Sequence, residues 1–253
     1  MTRFSAHIGY LYTELPLVDR LAAAARDGFT AIEHPEPWVI PAAEMATRLA
    51  DLDLTFSQVT SGMGATGEKG LAALPGRESD FRSGFMRALD YASMIGCPFV
   101  HPMAGVRGDE ITYLANVGWS LCACEGRPVQ VLVEAITIPG YQLGSLRAAS
   151  ALQDAFPGLL LLLDTYHALI QGEDPASWIQ ANPSRVGHVH IADHPGRHEP
   201  GTGEIDFTTF LSALLAVGYG GAIGFEYIPT TATTPSTGFL PGWKAQLSAK
   251  VST

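Results

Sequence analysis

The chain has 253 residues, 47% of them hydrophobic, and a formal charge of −10, from 15 Lys and Arg against 25 Asp and Glu. Nucleic-acid backbones are held by clustered cations, so this balance argues against a nucleic-acid partner, and no apolar run approaches the roughly twenty residues that a bilayer requires. Cys97, Cys122 and Cys124 form no CxxC pair, which disfavours a disulfide framework or zinc knuckle, and with no signal-like apolar stretch at the start a cytoplasmic protein is expected.

Short β-type runs alternate with helical patterns along the whole length, which predicts βα units feeding a parallel sheet. In chain order the expected strands are Phe4 to Ile8, Ala31 to His34, Leu54 to Val59, Phe99 to His101, Val129 to Glu134, Leu159 to Asp164, Val186 to Ile191 and Ala222 to Glu226. Between them fall helices over Leu17 to Arg26, Ala42 to Asp51, Glu78 to Ile95, Glu110 to Cys122, Leu143 to Phe156, Pro175 to Asn182 and Asp206 to Val217. Asp174 before Pro175 reads as an N-cap with a first-turn proline, and Gly28, Gly96 and Gly218 stand where helices should stop. No Ser-rich linker or long charge run divides the sequence, so residues 1–253 are expected to form one (β/α)8 barrel, an architecture of about 250 residues. Assembly as a homo-oligomer is compatible with this architecture.

Four of the expected strands finish on residues able to bind a divalent metal: Glu134 after VQVLV, Asp164 after LLLLL, His190 in VGHVHI and Glu226 after AIGF. A carboxylate beside five leucines is costly unless compensated. In a (β/α)8 barrel the C-terminal strand ends form the catalytic mouth, which brings the four together. Two glutamates, an aspartate and an imidazole make a hard, oxygen-rich set that suits Mg²⁺ or Mn²⁺, with Zn²⁺ the alternative. Such an ion can stabilise an enediolate, while Glu134 and Glu226 act as base and acid on opposite sides of a substrate. The competing reading is that these residues form buried ion pairs with core Arg or Lys, of which the chain has few.

Further candidates surround this set. His167 follows Asp164 by three residues, and Arg197, in the loop after the seventh expected strand, is placed to meet a carboxylate or oxyanion. Lys69 is a second cation for an anionic substrate, and His7 and His101 end the first and fourth expected strands. His188 should point inward one layer below His190 and make a structural hydrogen bond. Gly62, Gly64 and Gly67 fit GxGxxG, but Gly70, Pro75 and Gly76 interrupt the helix that a dinucleotide site needs, so no nucleotide cofactor is expected.

GEKGLAALPGRESDFRSG at 67–84, DTYH at 164–167, HVHIADHPGRHEPGTGEIDF at 188–207 and EYIP at 226–229 resemble the hydroxypyruvate isomerase family. The resemblance implies a xylose isomerase-like TIM barrel and aldose–ketose isomerisation of a small hydroxy-oxo acid, hydroxypyruvate to tartronate semialdehyde, by the glutamates matched here by Glu134 and Glu226. It also implies a metal position bounded by those two, Asp164 and residue 190. Gln is usual in the family where His190 stands, His being the choice of related epimerases, and a basic residue before the last proline is replaced by Ile228. Alternative activities are a ketose 3-epimerase or 2-oxo-tetronate isomerase, an inosose-type dehydratase, and a metabolite-binding barrel without catalysis.

Overall fold

A computed structural model describes residues 3–249. Its strands are β1 (Phe4–His7), β2 (Ala31–Glu33), β3 (Thr55–Phe56), β4 (Val59–Thr60), β5 (Phe99–His101), β6 (Gln130–Glu134), β7 (Leu160–Asp164), β8 (Val186–Ile191) and β9 (Ile223–Phe225). All pair in parallel, in the order β3-β2-β1-β9-β8-β7-β6-β5-β4. The two ends of that order, β3 and β4, are successive pieces of one stretch of chain, so the sheet closes on itself as an α/β barrel.

The third expected strand, Leu54 to Val59, is therefore corrected to two short pieces. Thr55 and Phe56 pair with Ala31 and Ile32, whereas Val59 and Thr60 pair with Val100 and His101. Between them Ser57 Oγ hydrogen-bonds Ser5 Oγ at 2.9 Å, and Thr60 N donates to Pro35 O at 3.1 Å. The chain thus passes from one neighbouring strand to the other by way of buried polar contacts that no hydropathy pattern encodes.

The helices α1 (Leu17–Arg26), α2 (Ala42–Asp51) and α3 (Glu78–Ile95) coincide with expectation. On α3, Phe81, Phe85, Ala88, Leu89 and Ala92 are buried, one stripe at three- and four-residue spacing, and Gly96 ends the helix at φ 70°. The next two are α4 (Glu110–Cys124), two residues longer than expected, and α5 (Leu146–Ala155). The latter starts late because Ser145 Oγ caps it by accepting from Ala148 N, a contact worth about 1 kcal/mol. A short α6 (Thr165–Ile170) follows β7 directly, then come α7 (Pro175–Ala181), capped by Asp174, and α8 (Phe207–Ala216), capped by Asp206.

Two C-terminal helices, α9 (Thr233–Ser236) and α10 (Leu240–Ala249), were not expected. Pro241 reads as a breaker but occupies the first turn of α10, where its missing N–H costs no helical bond. The ring of Trp243 on this helix lies 5.4 Å from Phe207, 5.8 Å from Phe225 and 5.2 Å from Phe239, so α10 packs against the start of α8 and the end of β9. Among the described residues no helix is long and apolar enough to cross a membrane.

Candidate active site

The C-terminal strand ends surround one cavity, lined among others by His7, Tyr10, Gln58, Lys69, His101, Met103, Glu134, Ile136, His167, His190, Arg197 and Glu226. At its floor, donor atoms of Glu134, Asp164, His190 and Glu226 all lie within 4.8 Å of one another. Glu134 and Asp164 are the last residues of β6 and β7, His190 is the penultimate residue of β8, and Glu226 follows β9 by one residue. Register aligns them: Asp164 pairs with His190, and His190 with Gly224. The sequence-expected four are thus one cluster.

Asp164 has two tasks. Its Oδ1 accepts from His167 N at 2.8 Å and caps α6, while its Oδ2 is buried without a hydrogen-bond partner. Glu134 Oε1 and His190 Nδ1 are also buried and unpartnered. Orphaned acceptors of this kind are rare in a folded interior, and three within one cluster fit a divalent cation as their missing partner. The donor set, mostly carboxylate oxygen with one imidazole nitrogen, agrees with that reading.

Arg197 supplies the nearest positive charge. Its Nη2 bonds Glu226 Oε2 and lies 3.9 Å from Asp164 Oδ2, while its guanidinium carbon sits 5.1 Å above the Tyr10 ring and 5.4 Å from that of Tyr166. The loop that carries it is shaped by Asp193, buried completely, whose carboxylate accepts from the backbone N–H groups of His194, Gly201, Gly203 and Ile205. This explains the PGRHEPGTGE stretch locally: small and turn-forming residues let the backbone wrap one carboxylate.

The two glutamates differ in electrostatic setting. Burial raises the Glu134 carboxyl well above the ordinary range, and the neighbouring Glu226 charge raises it further. Burial is the largest single influence on Glu226 and opposes its charge, but Arg197, His190 and His7 together outweigh it and hold the carboxyl far below the ordinary range. His7 Nε2 stands 3.4 Å from Glu226 Oε1. Burial lowers the His7 and His167 imidazoles and depresses His101 to about 3, so all three favour the neutral form. His167 Nδ1 lies 2.6 Å from Thr137 Oγ1, and His101 Nε2 has no partner.

Lys69 lies at the exposed rim. Its backbone has φ 56°, and the neighbouring Gly70 is in contact with a second rim loop: a Cβ on Gly70 would meet Met103 O at 2.3 Å. Gly70 N donates to Met63 O at 2.9 Å and Val106 N to Glu68 O at 2.8 Å, so Lys69 is held between fixed neighbours. Glu68 is occupied by Arg77.

Sequence reasoning missed Glu33, Tyr10, Tyr166 and Asp193. Glu33 carried the signal already used for the other four, a short apolar run ending in a carboxylate, but Ala31-Ile32 is too brief a run to stand out. The structure places it fully buried behind His190.

Residues 21–242 match the family described as Xylose isomerase-like TIM barrel, and the chain belongs to that family. It is 38% identical to 2-oxo-tetronate isomerase of Cupriavidus necator, over 95% of this chain and 98% of the relative, and 32% identical to hydroxypyruvate isomerase of Escherichia coli, over 92% and 96%. These relatives make it an isomerase. A solved structure titled AP endonuclease, family 2, from Brucella melitensis superimposes with a TM-score of 0.87 at 33% identity, covering 95% of this chain and 99% of that one.

Proposed function

We propose that the chain shifts an oxo group between carbons 2 and 3 of a short 2-oxo-3-hydroxy acid, with hydroxypyruvate and 2-oxo-tetronate as the candidate substrates. Both reactions remove a proton from C3 and add one at C2, turning hydroxypyruvate into tartronate semialdehyde. The two acids differ only in the C3 substituent, hydrogen or hydroxymethyl. The observation that carries this reading is the meeting of four donor side chains on the cavity floor, two of them glutamates with opposite protonation preferences.

Groups whose environments push their proton affinities apart are suited to complementary acid and base roles. Glu226, kept ionised by Arg197, takes the C3 proton on a carboxylate oxygen; Glu134, whose burial favours a proton when no ion is bound, would deliver one to C2 from the oxygen that does not face the ion, and the hydroxyl proton passes from the C3 oxygen to the C2 oxygen. Glu134, Asp164, His190 and Glu226 would hold a divalent ion, Mg²⁺ or Mn²⁺ ahead of Zn²⁺, and that ion would polarise the oxo group as a Lewis acid. His7 steadies Glu226, and the neutral His101 and His167 face the substrate hydroxyls.

The substrate carboxylate falls to Lys69. Arg197 lines the cavity but is committed to Glu226 and Asp164 and enclosed by two tyrosines, while Lys69 has no ion pair among the described residues. The acidic net charge disfavours a nucleic acid, and a small anion depends on the local field of this cation.

Each acid is incubated with the protein in D₂O containing Mn²⁺ or Mg²⁺ and followed by NMR. The expected result is the isomeric oxo acid, carrying deuterium at the carbon that receives the proton, and no product from Glu226→Gln. Loss of water would make the protein a lyase, and an unchanged spectrum with both acids would refute the assignment.

A further inference from the structure

Directly below the cavity floor lies a second polar cluster with no solvent contact. Glu33, at the end of β2, is wholly buried, and its Oε2 stands 3.0 Å from His188 Nε2 and 2.9 Å from His190 Nε2. One carboxylate oxygen therefore meets two imidazole nitrogens from the same strand, two residues apart on β8 and so on the same face of the barrel wall. A carboxylate accepts and cannot donate, so both contacts require the imidazole proton on Nε2. In the neutral ring the other nitrogen of His190, Nδ1, presents its lone pair upward, where it lies 3.5 Å from Glu226 Oε2 and belongs to the donor cluster with Glu134 and Asp164; without an ion Glu33 and Glu226 overcome burial and favour a proton there as well, which a cation would displace.

The fold keeps room for this arrangement. Gly224 on β9 faces the cluster, and a Cβ there would meet Glu33 Oε1 at 2.3 Å, His190 Cδ2 at 2.7 Å and His188 Nε2 at 2.8 Å. Its φ is not in the left-handed region, so glycine is required at this position by space and not by backbone conformation. Three strands thus cooperate: β2 provides the acceptor, β8 the two imidazoles and β9 a missing side chain. A buried carboxylate so placed costs several kcal/mol in desolvation unless strongly hydrogen-bonded, and two N–H donors on Oε2 offset part of that cost while Oε1 has no partner.

We propose that Glu33 is a positioning residue for metal capture: it fixes the ring orientation and tautomer of His190 so that Nδ1 faces the ion held with Glu134, Asp164 and Glu226, and Gly224 is retained to make this possible. The inference rests on His190 being a metal donor. Carboxylates behind a ligating histidine typically account for 10- to 100-fold of metal affinity.

The test is calorimetric titration of Mn²⁺ into metal-stripped protein, for wild type, Glu33→Gln, Gly224→Ala and His190→Gln, with thermal unfolding of each stripped protein alongside. Wild type should take one equivalent, and Glu33→Gln and Gly224→Ala should bind roughly 10- to 100-fold more weakly. A ¹⁵N spectrum of the Zn²⁺-loaded wild type should show His190 with a protonated Nε2 and a coordinated Nδ1, a signature that a merely space-filling Glu33 would not set. Glu33→Gln binding within twofold of wild type, or a His190 proton on Nδ1, overturns the proposal, as do two equivalents in wild type, which would make Glu33, His188 and His190 ligands of a second ion. Undiminished binding by His190→Gln instead removes the metal-donor reading on which it rests. If Glu33→Gln does not fold, Gly224→Ala carries the comparison, because it alters no donor atom.

Discussion

On the side of the cavity built by β7, β8 and β9, Asp164, His190 and Glu226 are drawn together with Arg197, and a hydrogen-bonded carboxylate stands behind them. The side built by β3 to β6 presents Gln58, His101, Met103 and Ile136, and there Gln58 Oε1 and His101 Nε2 are buried without partners. The first side keeps charges close and fixed. The second offers neutral, unsatisfied hydrogen-bonding groups between apolar ones, an arrangement suited to a ligand's hydroxyls. Glu134, at the end of β6, sits on the boundary with no basic side chain bonded to it, so in the ion-free site burial favours its protonated form while Glu226 stays ionised.

Glu226→Gln attacks the charged side at its centre, removing the base and the main partner of Arg197. Turnover of hydroxypyruvate or 2-oxo-tetronate should fall about a thousandfold, within the usual range for a lost general base; activity near wild type would break the division between the two sides. Arg197→Lys tests whether geometry matters as much as charge. A point charge cannot stack between Tyr10 and Tyr166 while bonding Glu226, so kcat should fall on the order of a hundredfold, and a loss below threefold would show that any cation suffices.

Lys69→Met probes recognition at the rim. KM for the acid should rise about tenfold with kcat nearly unchanged, since one carboxylate contact is worth roughly 1.4 kcal/mol. A neutral sugar tested in parallel should not distinguish the variant from wild type.

The smallest effect concerns pH and His101. Its imidazole is depressed from 6.5 to about 3 by burial, so between those values the unfolded chain binds a proton that the folded one refuses. Its stabilising contribution is full above 6.5, declines as pH falls through that value and levels off below about 3. Urea unfolding at pH 7 and pH 4.5 should therefore show a smaller acid loss for His101→Gln than for wild type, and an equal or larger loss would contradict the assignment.

Much of this architecture is written locally. The strand ends at Glu134, Asp164, His190 and Glu226 were readable because an apolar run stopping at a chargeable residue is a short-range pattern, and α1 to α3 because periodicity and glycine stops agree. Features set by distant chain were not. The break between β3 and β4 depends on Ser5 and Pro35, and α6 was hidden because Asp164 serves at once as strand end, candidate ligand and cap. Glu33 could have been found by its type but not by its task, since its partners lie 155 and 157 residues away. The Arg197–Glu226 pair spans 29 residues, and the sequence signal placed Arg197 near the substrate without revealing that a carboxylate of the site already holds it.

The rim around Lys69 sets a limit of another kind. Ala72 N and Ala73 N bond Met103 O and Ala104 O, Gln142 N bonds Gly105 O, and Arg107 N bonds Gly140 O, so three successive loops are sewn edge to edge. Backbone bonds between neighbouring loops tie each loop to the next, so a change in one loop must be matched by the others. Widening the mouth for longer acids would then call for shortening these loops together, since a point substitution in a side chain leaves the backbone bonds between them in place.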